Sequence, residues 1–214
     1  MIKKNIIFFS PSPSVWAHSF PEAVFADNLR KLNFNIKYVF IKNSYKKDQN
    51  RIIKGFNFNY TYLDDYIKKK KLLEINKIVD SLKGKTPKEI VKYLYEGIPV
   101  GNFALYEPML NFKTAKVYDF NKKQKKFYLD NIKNCILAIS AFKEIFKKNK
   151  ISAVTVYNSY YAKNRCVRFL AKKYKIKTIT IHAGANFENY LKTLLITSEE
   201  LVDLELIQKN KIWP

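Results

Sequence analysis

A chain of 214 residues, 47% apolar and 15% aromatic, is long enough to bury one α/β core and too apolar for intrinsic disorder. Its formal charge of +22 comes almost wholly from lysine, with arginine only at Arg30, Arg51, Arg165 and Arg168; base readers and bidentate phosphate clamps favour arginine, so no nucleic acid is expected as partner. No stretch approaches the roughly 20 apolar residues of a membrane span, and the opening apolar run, broken by Pro11 and Pro13, is too short for a signal-peptide core.

Asn5–Phe9 is an apolar run bounded by prolines and reads as a buried strand. A loop follows. Ser19 and Glu22 have capping-box spacing, with Pro21 in the first turn, which predicts a helix from there to about Leu32 with Phe25, Leu29 and Leu32 on one face. Ile36–Ile41 is the next strand, and the helix between the two is long enough for a parallel crossover. Residues 43–59 are polar and lysine-rich and show no clear pattern. Helices are predicted over Asp64–Leu82, with Lys68–Lys71 on its flank, and over Pro87–Tyr95, with Thr86 as cap. Leu105–Leu110 has helical character. Lys122–Lys148 has the clearest helical period, with Leu129, Ile132, Ile136, Ile139 and Phe142 at three- and four-residue steps.

The last third repeats the strand–helix–strand pattern. Ser152–Val156 and Lys177–Ile181 are strands, and Tyr160–Tyr174 is a helix whose Val167, Leu170, Ala171 and Tyr174 share a face. Thr197 and Glu200 form a second capping box, with Ile196 and Leu201 as a hydrophobic staple, heading a helix to about Lys209. The closing Ile212-Trp213-Pro214 suits an interdomain connection, so the chain is expected to be half of a longer protein. Cys135 and Cys166 have no metal spacing and read as buried thiols. The fold expected is α/β: Asn5–Phe9, Ile36–Ile41, Ser152–Val156 and Lys177–Ile181 side by side in a mostly parallel sheet flanked by helices.

Ligands of open parallel sheets bind beyond the carboxyl ends of the strands. That rule selects the loops Ser10–Ser19, Tyr157–Tyr161 and His182–Asn189, which hold both histidines of the protein. His18 has a residue type suited to taking a proton from an acceptor hydroxyl, with an ordinary pKa near 6.5; the other reading is a histidine bonded within its own loop. Trp16 and Phe20 beside it form a wall for a sugar ring or anchor the loop. His182 and Asn186 suit sugar hydroxyls or a phosphate, with Gly184 allowing a close backbone approach; a structural turn is the alternative. Asn158 and Tyr161 lead into a helix carrying Asn164, Arg165 and Arg168. Its N-terminus offers N–H groups to an anion, and the two arginines, one turn apart, either meet a phosphate together or are surface groups. A Walker loop, a glycine-rich dinucleotide fingerprint, a zinc spacing and a nucleophile elbow are all missing from the sequence.

The segments Val156-Tyr157-Asn158-Ser159-Tyr160-Tyr161-Ala162-Lys163-Asn164-Arg165, Arg168-Phe169-Leu170-Ala171 and Ile181-His182-Ala183-Gly184-Ala185-Asn186 resemble bacterial surface-polysaccharide glycosyltransferases. Tyr95-Glu96-Gly97-Ile98-Pro99-Val100-Gly101 and the opening strand with its serine-rich loop and His18 fit the same type. The resemblance implies a GT-B architecture, two Rossmann-like domains facing a cleft. Residues 1–214 would form the single, acceptor-binding Rossmann-like domain, without the C-terminal donor domain. The activity implied is transfer of a sugar from a nucleotide-sugar onto a surface polysaccharide or lipid-linked glycan, with no turnover by this chain alone. No cofactor and no metal are implied; the nucleotide-sugar is a co-substrate held mainly by the other domain. His18 would be the base, with Ser12, Ser14, Asn158, Tyr161, Asn164, Arg165, His182, Gly184 and Asn186 lining the acceptor side. With no signal core and no span, the expected location is cytoplasmic; the lysines either make a peripheral contact with anionic lipid at the inner membrane face or, for most of them, simply form a solvated surface. Two other readings stay open: a non-catalytic module that binds a glycan or a partner, and a basic nucleic-acid-binding domain with a steep salt dependence.

Overall fold

A computed structural model describes residues 3–10, 16–41, 52–114, 119–182 and 195–198, with the backbone alone at 16–18. Six described strands build one sheet: β1 (Asn5–Phe9), β2 (Asn35–Phe40), β3 (Asn59–Tyr62), β4 (Ile151–Tyr157), β5 (Lys177–His182) and β6 (Leu195–Thr197), in the order β3-β2-β1-β4-β5-β6. All neighbours are parallel except β5 and β6. The four strands expected from the sequence therefore do lie side by side, and the protein is an α/β, Rossmann-like fold. The start of the sheet is pinned by amides: Asn35 Nδ2 donates to Asn5 Oδ1 at 2.7 Å, and Asn5 Nδ2 donates to the Lys150 carbonyl at 2.8 Å.

Alternation along β1 sends Ile6 and Phe8 into one core and Ile7 and Phe9 to the opposite face, and all four are buried. The first core joins Ile6 and Phe8 to Ile36, Tyr38 and Phe40 of β2 and to Ala23 and Ala26 of α1 (Trp16–Lys31). Ile52 and Ile53, on a helical turn at residues 52–55, close it. Tyr38 stacks on Phe8 at 5.2 Å and on Phe40 at 5.7 Å, ring contacts that add to the area buried.

The start of α1 differs from the capping-box expectation. The helix begins at Trp16, so Ser19 and Glu22 lie within it, and Pro21 is an interior residue. Pro21 has no N–H for the carbonyl of Ala17, one helical turn back. Glu22, expected as the acid of a capping box, is instead an interior helical residue and 2% exposed. At the other end Leu32 is 70% exposed, and the small residues Ala23 and Ala26 take the buried face.

The described chain divides into two compact units. One comprises Met1–Tyr62, Lys150–Ser159 and Lys175–Pro214; the other comprises Leu63–Asn149 and Tyr160–Tyr174. The first carries the whole sheet. The second contains a 3₁₀ turn at Leu63–Tyr66, then α2 (Lys69–Leu82), α3 (Pro87–Ile90), α4 (Val100–Phe103), α5 (Tyr106–Phe112), α6 (Lys122–Lys148) and α7 (Ala162–Lys173).

Helix α6 has the bounds its period predicts, and Leu129, Ile132, Ile136, Ile139 and Phe142 are buried. Its start is a reciprocal cap: Gln124 N–H donates to Asn121 Oδ1 at 3.0 Å, and Asn121 N–H donates to Gln124 Oε1 at 2.9 Å. Helix α3 stops at Ile90 rather than Tyr95. Glu96 and Gly97 adopt left-handed backbone, with φ of 52° and 72°, and turn the chain so that Tyr95 pairs with Ile98. Thr197, expected as a helix cap, lies in β6 opposite Thr180. The helix predicted beyond it lies outside the described residues, as do Ile212-Trp213-Pro214. Cys135 and Cys166 are free, buried thiols in the second unit. Among the described residues no helix is long and apolar enough to cross a membrane.

Candidate functional site

The strand order reverses between β1 and β4, and the crevice beyond the carboxyl ends at such a switch point is where open α/β sheets hold ligands. Ser10 leaves β1 there, its N–H bonded to the Val39 carbonyl at 3.1 Å. Asn158 leaves β4 with a φ of 56°, a left-handed conformation that asparagine tolerates better than most side chains. Its N–H donates to the Ile181 carbonyl at 2.9 Å, tying the turn to β5. The turn brings the N–H of Ser159 to 3.5 Å from Nε2 of His182, the last residue of β5. A neutral imidazole that accepts at Nε2 carries its proton on Nδ1. Ser159 is buried and His182 half-buried.

Beneath this edge lies a buried acid. Glu22 projects from α1 into a small cavity lined with Ser10, Ser19, Tyr38 and Phe40, with about 10 Å³ of room, at the lower limit for one water. Burial pushes its carboxyl up to about 8, and the hydrogen bond from Ser10 opposes that rise. Glu22 Oε1 and the Tyr38 hydroxyl have no hydrogen-bond partner among the described residues. At neutral pH Glu22 is therefore largely a neutral acid, able to donate as well as accept. Its position was legible: Glu22, Phe25, Ala26 and Leu29 fall at i, i+3, i+4 and i+7, the spacing of one helical face.

Of the residues singled out in the sequence, Asn158 and His182 come together at neighbouring strand ends. His18 lies in the first turn of α1 rather than in a loop; its side chain, like that of Trp16, lies outside the described residues, and so do Ser12, Ser14, Gly184 and Asn186. Phe20 is half-buried against the first-unit core, its ring tilted toward that of Phe56 with centroids 6.3 Å apart, an anchoring role. Tyr161, Asn164, Arg165 and Arg168 belong to the second unit.

There the anion site expected at the start of α7 is already taken. The N–H of Ala162 donates to both carboxylate oxygens of Glu107 at 3.2 Å, and Lys163 Nζ stands 3.8 Å from the same carboxylate. Burial raises the pKa of Glu107, while Lys163 and the Ala162 N–H hold it down. Arg165 does not reach out with Arg168 to a phosphate: its guanidinium lies 4.3 Å from the centre of the Phe103 ring, and Arg168 is buried. The helical spacing of the two arginines is real, but α7 turns that stripe inward. Among the described residues no group of three or more His, Cys, Asp and Glu side chains is placed to hold a metal ion.

The strand order and sheet edge define a Rossmann-like α/β class. No protein-family model and no curated protein matches the sequence. Among solved structures, the chain is similar to a tyrosyl-tRNA synthetase from Archaeoglobus fulgidus solved with L-tyrosine, at 10% identity and a TM-score of 0.40 over 80% of this chain, and it spans 50% of that one. It is also similar to a CDPS from Fluoribacter dumoffii, at 9% identity and a TM-score of 0.45, covering 91% of this chain and 90% of that one. BdcA from E. coli is a third, at 11% identity and a TM-score of 0.34, covering 84% and 82%. Likeness at this level decides nothing about ligand or reaction.

Proposed function

We propose that this chain is the acceptor-binding side of a sugar-transferring protein of the GT-B type, its ligand a glycan or lipid-linked sugar bound at the carboxyl edge of the sheet. The observation that carries this reading is the set of short polar groups at the carboxyl ends of β1, β4 and β5, namely Ser10, Asn158, Ser159 and His182, with the Ser159 N–H 3.5 Å from His182 Nε2. Hydroxyls, a side-chain amide and an imidazole match sugar hydroxyls, which both donate and accept. A dinucleotide asks for something else at that place, a glycine-rich first turn that lets the backbone cradle a pyrophosphate. Residues 10–15, Ser-Pro-Ser-Pro-Ser-Val, contain no glycine.

Under this reading the nucleotide-sugar donor is held by a second domain. His18, in the helical turn that follows β1, is the acceptor base, and the protein works in the cytoplasm at the inner membrane face. The test is equilibrium binding of oligosaccharide and lipid-linked acceptors to the chain, with nucleotide-sugars and dinucleotides as competitors. Saturable acceptor binding, weakened about tenfold by His182→Ala through the lost hydrogen bonds, is expected. Displacement of the acceptor by a dinucleotide, or indifference to His182→Ala, overturns the reading. In a full-length, turnover-competent protein His18→Ala should lower kcat by roughly 10²–10⁴-fold, the range for a lost general base; a loss of only a few-fold removes His18 from that role.

A further inference from the structure

The second unit contains an open groove of about 490 Å³, within the range of small-ligand pockets. Two stretches supply its charge. Near the end of α6, Ser140, Lys143, Glu144, Lys147 and Lys148 line it, at three- and four-residue steps that put them on one helical face. The start of α2 adds Lys68, just before the helix, and Lys71 in its first turn. Five lysines thus face three carboxylates, those of Asp65, Glu96 and Glu144, an excess of two positive charges.

Part of that charge is matched internally. Lys143 Nζ lies 2.6 Å from Glu96, Lys147 Nζ lies 3.5 Å from Glu144, and Lys71 Nζ lies 2.7 Å from Glu74. Among the described residues Lys68 and Lys148 have no carboxylate partner. The repulsion inside the set is a standing cost: like charges at i,i+4, as Lys143 and Lys147 are, destabilise a helix by about 0.2–0.5 kcal/mol. The floor is neutral and hydrogen-bonding, since the Ser140 hydroxyl lies 3.3 Å from that of buried Tyr95.

We propose that this groove binds a phosphorylated small molecule, its phosphate or diphosphate held between Lys68 and Lys148 and its polar remainder over Ser140. Lysines are point charges that suit a phosphate without reading a base edge. At about 490 Å³ the groove has the size of a small-ligand site. The assignment uses none of the residues at the sheet edge, so it stands or falls separately from the acceptor reading.

The experiment is calorimetric titration of the chain with inorganic pyrophosphate at low salt, beside flotation with vesicles containing phosphatidic acid. The variants are the double substitution Lys68→Gln/Lys148→Gln and, as control, Lys177→Gln at an exposed position of the first unit. Expected is saturable one-site binding, weakened about tenfold or more in the double variant, the scale of two lost charge contacts near a surface, and unchanged in the control. Unchanged unfolding of the double variant in urea shows that the loss is not one of folding. Vesicle binding that pyrophosphate displaces identifies the phosphate as a lipid headgroup, and pyrophosphate binding without vesicle binding identifies a free ligand; both support the site. No saturable binding by concentrations on the order of 10 mM, or equal affinity in wild type and double variant, overturns it. Tighter binding of single-stranded RNA than of pyrophosphate, lost in the same double variant, overturns the small-molecule assignment.

Discussion

The carboxylate of Glu107 accepts the backbone N–H of Ala162 through both oxygens at 3.2 Å, which closes the start of α7 with an acid of the chain's own. A helix start leaves its first N–H groups without intrahelical partners, and a negative group there also meets the positive end of the helix dipole. Glu107 serves both needs across 55 residues of sequence, with Lys163 beside it to share its charge.

Glu107→Ala should therefore cost about 1–2 kcal/mol, as lost caps do, with a further penalty for a buried N–H left unpaired. Glu107→Gln keeps one carbonyl acceptor and should cost less. Urea unfolding followed by circular dichroism measures both. Equal costs for the two variants would mean that the side chain acts by filling space rather than by capping.

Glu22 makes the stability of the first unit depend on pH. Its carboxyl stands at about 8 in the fold against 4.5 for an ordinary glutamate, so the folded chain binds the extra proton between those values. A raised pKa contributes stability in full below about pH 4.5 and loses it as pH rises toward 8. The span corresponds to a loss on the order of 3–5 kcal/mol, since each pKa unit is about 1.4 kcal/mol. Glu22→Gln stays neutral throughout, so unfolding free energies measured from pH 5 to 8 should fall for the wild type and stay flat at Glu22→Gln. Parallel curves would show that Glu22 is not the group that titrates.

These two acids show where sequence reasoning stops. β1 was legible as an apolar run between polar flanks, and β2, β4 and β5 as short stretches rich in β-branched and aromatic residues on either side of a helical pattern. β3, Asn59-Tyr60-Thr61-Tyr62, was missed because it is an edge strand with half-exposed tyrosines and no apolar alternation. The alternating aromatic and polar residues were its one available signal. The helix α1 start was misplaced because Ser-x-x-Glu is a local pattern, whereas the burial of Glu22 is decided by its place on the Phe25–Leu29 stripe. Glu107 had no local signal at all: its partner is brought to it by tertiary folding. At the candidate site, strand ends could be ranked from the sequence, and Asn158 and His182 follow from that. Which helix ends and arginines stay free could not be ranked, because Phe103 and Glu107 reach α7 from other elements.

Gly101 has a packing role that a Cβ would break. A methyl placed there would lie 1.9 Å from the Ile90 carbonyl oxygen, a backbone atom with no room to give. The same backbone is held on both sides, since Gly101 N–H donates to the Tyr93 carbonyl at 3.0 Å and its carbonyl accepts the buried Tyr128 hydroxyl at 2.6 Å. Gly101→Ala should cost more than about 2 kcal/mol, as overpacking against a fixed neighbour does. Gly84, whose added Cβ meets nothing within 4 Å, is the control, and Gly84→Ala should stay within about 0.5 kcal/mol of wild type. Thermal unfolding of the two variants side by side checks this, and equal melting points would contradict the close approach.

The turn at Asn158 separates scaffold from site. Its φ of 56° is left-handed, where a β-branched residue is strained and glycine is at ease. Asn158→Gly should fold with stability within about 1 kcal/mol of wild type, and Asn158→Val should lose about 1–2 kcal/mol, on the scale of a strained non-glycine backbone. Asn158→Gly keeps the backbone that brings the Ser159 N–H to His182 Nε2 but removes the side-chain amide. If that amide meets the ligand, Asn158→Gly lowers acceptor affinity severalfold while leaving stability alone; if Asn158 serves only the turn, affinity follows stability through both variants. Measuring acceptor binding and urea unfolding on the same two proteins distinguishes these outcomes. The acceptor reading expects the first: a stable Asn158→Gly protein with weakened binding. An Asn158→Gly protein with wild-type affinity would take the Asn158 amide out of the acceptor site and leave it a role in the turn alone.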